Sequence, residues 1–434
     1  MVESNSNVFM NVADPNRDEQ PLGAASAIVT SGKDHGIDSN AMSKAAIDVI
    51  RDLQQAGFTA YLVGGAVRDL LLQGKPKDYD VATDATPEQV RSVFRRCRLI
   101  GRRFRLAHVF MHGQMIEVAT FRGDAGDDNQ QIGKQGRILR DNTYGNEQED
   151  ALRRDFTANA LFYDPLRDNI IDYAGGLDDI EHRRLRLIGN VSTRYREDPV
   201  RMLRAVRFAV SKKLDLHPKT AAEIPVLAHL LQHIPPARLF DEFTKLMLTG
   251  HAFNTTCMLV KTGLWEQLFP DVPLELEKEH KLMASPVLAQ ALKNSDARVA
   301  KGLPVTSGFL LAAMLWQPLQ KRLLKLSGNN EHELMNMQKA SDEILFLRPR
   351  PVGMPKRVTA MCREIWLLQH RFQRTRGKRP RRLLEEQRFR AAYDFLLLRT
   401  AEEPELKPLA DWWTYVQTLG EKKLAVALRE GFGQ

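Results

Sequence analysis

The segment Leu62-Val63-Gly64-Gly65-Ala66-Val67-Arg68-Asp69 restricts the fold more than any other part of this chain. An apolar run stops at two glycines and resumes as a helical pattern over 66–73, the mark of a strand that turns sharply into a helix. Thr59-Ala60-Tyr61-Leu62-Val63 supplies the strand, and Asp78-Tyr79-Asp80-Val81-Ala82 reads as a second one. A further pair is expected at 107–111 and 115–121, joined by a turn at His112-Gly113. Ahead of them Ala46, Ile47, Ile50 and Leu53 recur at helical spacing after Ser43. Residues 41–190 are therefore expected to form an α/β unit with a small mixed sheet, interrupted by a polar, Gly-rich mobile loop over 124–150. Beyond Tyr195 helical patterns dominate, with candidates over 199–211, 220–232, 237–248 and 306–316. Residues 1–40, rich in Asn, Asp, Ser and Gly without apolar periodicity, are expected to be a mobile leader.

Composition narrows the partners. Lys and Arg number 63 against 54 Asp and Glu, a net charge of +9 that suits a polyanion, nucleic acid above all. Cys97, Cys257 and Cys362 lie far apart with no C-x-x-C spacing, which argues against a disulfide framework and fits a reducing, cytoplasmic setting. No apolar run approaches the roughly 18 residues of a membrane span, and no secretory signal pattern opens the chain.

Alternation along a strand would project Asp78 and Asp80 on one side. Two carboxylates held that close repel unless a divalent cation neutralises them, and Mg²⁺ takes such a pair together with waters and phosphate oxygens. Taken alone, a D-x-D is as readily a solvated strand end. Its neighbours add meaning. Gly64 and Gly65 allow the backbone close to a bulky anion, the following helix offers free N–H groups, and Arg68 supplies a forked donor for a triphosphate. In-line displacement between two metals calls for a third carboxylate. Glu117, within Ile116-Glu117-Val118-Ala119, and Asp155, within Arg153-Arg154-Asp155-Phe156-Thr157-Ala158-Asn159-Ala160, are both candidates. An ion pair for Glu117 and a helix cap for Asp155 are the structural alternatives.

In Glu197-Asp198-Pro199-Val200-Arg201-Met202-Leu203-Arg204-Ala205-Val206-Arg207-Phe208, Asp198 before proline is a good helix cap, and Arg201 and Arg204 share a face. An Asp acceptor beside an Arg donor complements the amino donor and ring-nitrogen acceptor on adenine's pairing edge. A capped helix with solvated arginines is the plainer reading.

The stretches 62–72, 77–82, 153–160 and 197–208, in this order, resemble the class II nucleotidyltransferases, the family of bacterial poly(A) polymerases and tRNA CCA-adding enzymes. The resemblance implies a nucleotidyltransferase head over 41–190, a helical neck over 191–260 that holds nucleotide and RNA, and a helical body over 261–434. It implies catalysis at Asp78 and Asp80 as the Mg²⁺ holders, with Asp155 matching the acid of the family's Arg-Arg-Asp motif. Arg154 and Asn159 become candidates for the sugar, Asp198 and Arg201 for the base, and Arg204 and Arg207 for further nucleotide contacts.

The unbroken stretch 99–109, Leu-Ile-Gly-Arg-Arg-Phe-Arg-Leu-Ala-His-Val, closely resembles the segment that marks the bacterial poly(A) polymerases. It implies transfer of AMP from ATP to RNA 3′ ends without a template. Arg102, Arg103 and Arg105, preceded by Arg91, Arg95, Arg96 and Arg98, are expected to attract an RNA backbone. Arg374, Arg376, Lys378 and Arg379 lie in a second basic stretch, where Trp366, Phe372 and Phe389 interleave. That stretch suggests another RNA surface, although such aromatics are more often helix core. Family members commonly end in a long basic tail that is not seen here, a departure from the pattern that bears on how tightly and processively RNA is held and not on the chemistry. The rival expectations are a CCA-adding enzyme, which would also use CTP and prefer tRNA, and a non-catalytic RNA-binding adaptor.

Overall fold

The structure is a computed structural model that describes residues 27–38, 42–101, 105–123, 132–133, 137–138, 144–277, 282–326, 333–347 and 350–432. It divides into two compact units, the first ending at Leu227 and the second beginning at Ala228. The stretch expected as the neck, 191–260, straddles that division.

The first unit is built on an eight-stranded sheet: β1 (Ile28–Ser31), β2 (Ala60–Val63), β3 (Asp80–Thr83), β4 (Cys97–Ile100), β5 (Leu106–Met111), β6 (Gln114–Thr120), β7 (Leu161–Asp164) and β8 (Asn169–Asp172). The spatial order is β1-β8-β7-β2-β3-β6-β5-β4, antiparallel except where β3 runs parallel to β6. The sheet is thus mixed, as expected, but wider. β1 comes from the stretch expected to be a leader, and β7 and β8 bring the chain back to the centre. The β5–β6 turn places both His112 and Gly113 at positive φ, 48° and 76°, the backbone of a tight two-residue hairpin.

Helix α1 (Lys44–Gln55) starts at Ser43, whose hydroxyl accepts the Ala46 amide, and buries Ala46, Val49, Ile50 and Leu53. It packs on the sheet beside α3 (Pro87–Val93), which Thr86 and Gln89 open with a capping box. Alternation then divides β5 and β6 cleanly. Ala107, Val109, Ile116 and Val118 are buried, whereas His108, Phe110, Met115 and Glu117 stay accessible on the opposite face. Toward β2 and β7 that opposite face is covered by a cluster containing Tyr61, Val63, Ala82, Phe121, Ala151, Ala160 and Phe162. Part of the stretch expected as a loop over 124–150 is ordered differently, since Asn146 caps helix α4 (Glu147–Leu152). Residues 124–131, 134–136 and 139–143 lie outside the described residues. Two more helices complete the site, α5 (Val191–Glu197) and α6 (Val200–Lys212).

The second unit is mostly helical, from Pro236–Met247 to Glu421–Glu430. Trp366 and Phe372 are fully buried and Phe389 nearly so, the latter two packing with Trp413 in one core cluster. The aromatics interleaved with the basic stretch are therefore core. No helix among the described residues is long and apolar enough to cross a membrane.

Candidate active site

The geometry starts at the double glycine. β2 ends at Val63, and Gly64 turns the chain at φ 70°, a left-handed conformation that glycine adopts without strain. A Cβ on Gly64 would also meet the Arg154 Nη1 at 3.0 Å. Helix α2 (Gly65–Leu71) follows directly. The last register pair of β2 with β3 is Val63 with Asp80, so β3 begins at Asp80 and Asp78 precedes it. This corrects the expected strand over 78–82. Beyond Val63 the partner strand has turned away, and simple strand alternation does not fix the direction of Asp78.

On its other side Asp80 pairs in register with Glu117 of β6. Crowding by protein atoms raises the Asp80 carboxyl to about 6, with the charges of Glu117 and Asp78 adding to the effect and Arg154 opposing it. Residue Asp80 keeps a solvent-exposed edge, but its carboxylate carries this environment. Glu117 in turn stands 3.6 Å from His108 Nε2.

Asp155 has a different setting. It is buried; its Oδ2 lies 2.5 Å from Arg204, and its Oδ1 accepts the Asn159 amide at 3.0 Å and the Phe156 backbone N–H at 2.9 Å. Burial works against its charge, yet Arg204, Asn159 and the Phe156 amide together hold it below the ordinary carboxylate range. Of the two candidates for a third carboxylate, Glu117 is the one beside Asp80, while Asp155 is occupied by protein donors. Among the described residues no three Asp, Glu, His or Cys side chains are placed to hold a metal ion by themselves.

Asp155 belongs to a continuous polar chain. Arg68 Nη1 donates to Asn159 Oδ1 at 2.6 Å, and its Nε and Nη2 donate to Asp69 at 2.9 and 2.7 Å. Asp69 receives Lys212 at 2.8 Å, so α6 is tied to α2 at its last residue, Lys212, and to Asp155 through Arg204 in its second turn. A guanidinium has five N–H donors, and these bonds leave Arg68 two of them. Arg154 is fixed by Asp150 at 2.7 Å and by its position over the Phe162 ring. On α5, Arg194 donates to the carbonyls of Arg153 and Arg154 at 2.6 and 2.5 Å. Glu197 accepts both Arg194, at 3.0 Å, and Arg201, at 2.9 Å. Asp198 accepts the Val200 amide at 3.3 Å, close to the capping role expected of it.

These groups surround a cavity of about 410 Å³ lined by Gly64, Gly65, Arg68, Asp80, Arg154, Asp155, Asn159, Asp198, Arg201, Arg204 and Phe208. Sequence reasoning did not single out Phe208. Its ring lies under three guanidinium groups, those of Arg207 at 4.6 Å, Arg68 at 4.8 Å and Arg204 at 5.7 Å. Its spacing from Arg201 and Arg204 along α6 was the available signal, since i+4 and i+7 share a helix face. Arg207 stacks on that ring without lining the cavity.

None of the described residues expected to meet RNA lines this cavity. Arg102 and Arg103 are outside the described residues, and Arg105 pairs with Glu88 at 2.6 Å on the surface. In the second unit, a cavity of about 550 Å³ is lined by Arg371, Arg374, Arg379, Arg382 and Arg388 among others. Arg376 instead donates to the Glu430 carbonyl at 2.7 Å, and Lys378, itself exposed, opens the helix Lys378–Leu384.

The fold is that of the nucleotidyltransferases. The crystal structure of Bacillus stearothermophilus CCA-adding enzyme in complex with CTP matches with a TM-score of 0.56 at 28% identity, covering 86% of this chain and 84% of that one. Residues 60–186 match the family described as "Poly A polymerase head domain", 213–275 "Probable RNA and SrmB- binding site of polymerase A", and 329–431 "Polymerase A arginine-rich C-terminus". Poly(A) polymerase I of Salmonella typhi is 45% identical over 409 residues, which are 92% of this chain and 88% of that protein. The CCA-adding enzyme of Lactobacillus johnsonii is 36% identical over 224 residues, 52% of this chain. The chain belongs to the poly(A) polymerase I family and is a nucleotidyltransferase.

Proposed function

We propose that this chain adds AMP from ATP to RNA 3′ ends without a template, releasing pyrophosphate. The observation that carries this reading is the single cavity joining the Gly64-Gly65 turn and Asp80 to Asp198, Arg201 and the arginine network. Asp78 and Asp80 would hold Mg²⁺ with waters and phosphate oxygens. The like-charge crowding that lifts Asp80 is the condition a divalent cation relieves. When bound, Mg²⁺ supplies activation of the RNA 3′-hydroxyl and neutralisation of the developing phosphate charge. The spare donors of Arg68, with Arg154, draw the triphosphate toward the Gly64 turn. Asn159, held between Arg68 and Asp155, is positioned for the ribose. Asp198 accepts the adenine amino group, and Arg201, steadied by Glu197, donates to the ring nitrogen. Asp155 acts here as the anchor of Arg204 and Asn159, and Glu117 as the third acid beside Asp80.

In this reading the head extends over 41–190, a neck over 191–260 helps hold nucleotide and RNA, and the body presents arginines to the RNA backbone. Free Cys97, Cys257 and Cys362 suit a cytoplasmic setting, with RNA turnover as the process served. The four NTPs, each supplied singly with Mg²⁺ and an unstructured RNA, test the proposal. A ladder of A additions with ATP alone is expected. Incorporation of CTP that halts at a CCA end would transfer the chain to the rival activity, and no extension would leave an RNA-binding adaptor.

A further inference from the structure

The register of the sheet sets four side chains in one row. Asp80 is opposite Glu117, Glu117 opposite His108, and His108 opposite Arg98, so the row runs from β3 across β6 and β5 to β4. Directly paired residues share a face of the sheet. With strands spaced about 4.8 Å apart, Arg98 lies roughly 14 Å from Asp80 across the row. Next to the row, Phe110 and Met115 pair across β5 and β6, with 41% and 50% of their surface exposed. Ile100, opposite Leu106 on the same face, is 46% exposed but lies on the far side of the Arg98–His108 row from this pair. An adjacent pair of large apolar side chains on an open sheet face needs an explanation that a lone exposed residue does not.

The charges beside it specify the occupant. Arg98 stands over the Phe110 ring at 5.9 Å. Arg95, Arg96 and Arg98 are all exposed, and no carboxylate pairs with any of them among the described residues. An exposed aromatic next to unpaired arginines is the chemistry of single-stranded nucleic acid, whose bases stack and whose phosphates are anionic. Position agrees with chemistry. The nucleotide cavity lies on the β2 side of Asp80 and this face lies on the β6 side. In-line displacement brings the attacking hydroxyl from the side opposite the leaving group.

We propose that Phe110, with Met115, is a stacking platform for the 3′-terminal bases of the RNA acceptor, and that Arg98 holds the adjoining phosphate. This rests on the polymerase reading above. It adds an acceptor site separate from the ATP cavity.

The test uses the full chain, with RNA affinity measured by fluorescence anisotropy on an oligoadenylate without ATP, and Michaelis constants measured for RNA and for ATP separately. Phe110→Ala should weaken RNA binding and raise the RNA constant about tenfold, the lower range of one lost base stack, with the ATP constant unmoved. Phe110→Trp should restore both RNA values and Phe110→Leu should not. Equal RNA affinity in Phe110→Ala and wild type, full function in Phe110→Leu, or a matching rise in the ATP constant would overturn the platform. Wild type that binds RNA through Phe110 yet extends nothing would support the platform and defeat the polymerase reading, so the two failures are distinguishable.

Discussion

Two arginine-lined cavities among the described residues are built on opposite principles. In the first unit's cavity every lining guanidinium is spoken for. Arg68 is locked to Asp69 and Asn159, Arg204 to Asp155, Arg201 to Glu197 and Arg154 to Asp150. In the second unit Arg371 and Arg388 pair with Glu386 and Glu364, but Arg379 and Arg382 are exposed and have no carboxylate partner among the described residues. Arginines fixed by partners present their remaining donors at set positions and suit a small ligand that must be oriented. Unpaired arginines on long, mobile side chains suit a backbone that need only be attracted. One positively charged composition therefore serves both geometry and simple charge.

That contrast is most open to attack at Arg68. Arg68→Met leaves buried Asn159 Oδ1 without its donor and Asp69 with Lys212 alone, and should cost about 3 kcal/mol in chemical denaturation. Loss of activity with stability intact would mean that the network is not what holds it. Arg201→Ala should raise the ATP Michaelis constant about tenfold or let other nucleotides compete, with little change in melting. Unaltered ATP kinetics and selectivity would remove Arg201 from base recognition.

A smaller effect concerns Asp80 in the metal-free chain. Its carboxyl is raised from 3.8 to about 6, so the folded state binds a proton more readily than the unfolded one between those values. The stabilisation is full below about 3.8 and is lost as pH rises through 6. In EDTA, Asp80→Asn should therefore melt a few degrees higher than wild type at pH 7 and equally at pH 4; a lower melting point at pH 7 would contradict the crowding. Smallest of all, Arg379→Ala with Arg382→Ala should leave melting within about 0.5 kcal/mol and reduce the salt dependence of RNA binding by roughly one unit per arginine. Losses of stability there would make those arginines structural.

Much of the first cavity was legible because its elements carry local punctuation. The Gly64-Gly65 turn, the Ser43 cap and the helix after Asp198-Pro199 each announce themselves by backbone chemistry. β7 did not, because the four consecutive buried residues Leu161–Asp164 have no alternation to read, and β8 did not, because its burial alternates across Asn-Ile-Ile-Asp without a matching alternation of residue type. β1 escaped because an edge strand with exposed Ile28 and Val29 looks like the tail around it. The displacement of Asp78 from β3 followed from where β2 ends, a fact of pairing rather than of composition. Phe208 and the pairing of Arg201 with Glu197 needed three dimensions, since the carboxylate that claims an arginine is chosen by packing. In the second basic stretch the charges were plain in sequence, while the burial of Trp366 and Phe372 was decided by the helical core.

The central claim is that chemistry occurs at Asp80 while Asp155 anchors the cavity wall. It is tested most directly by single-turnover AMP incorporation with saturating ATP, Mg²⁺ and RNA, comparing wild type with Asp80→Asn. A fall on the order of a thousandfold, in a variant that still binds RNA and stays folded, is expected. Extension by Asp80→Asn at the wild-type rate would contradict it.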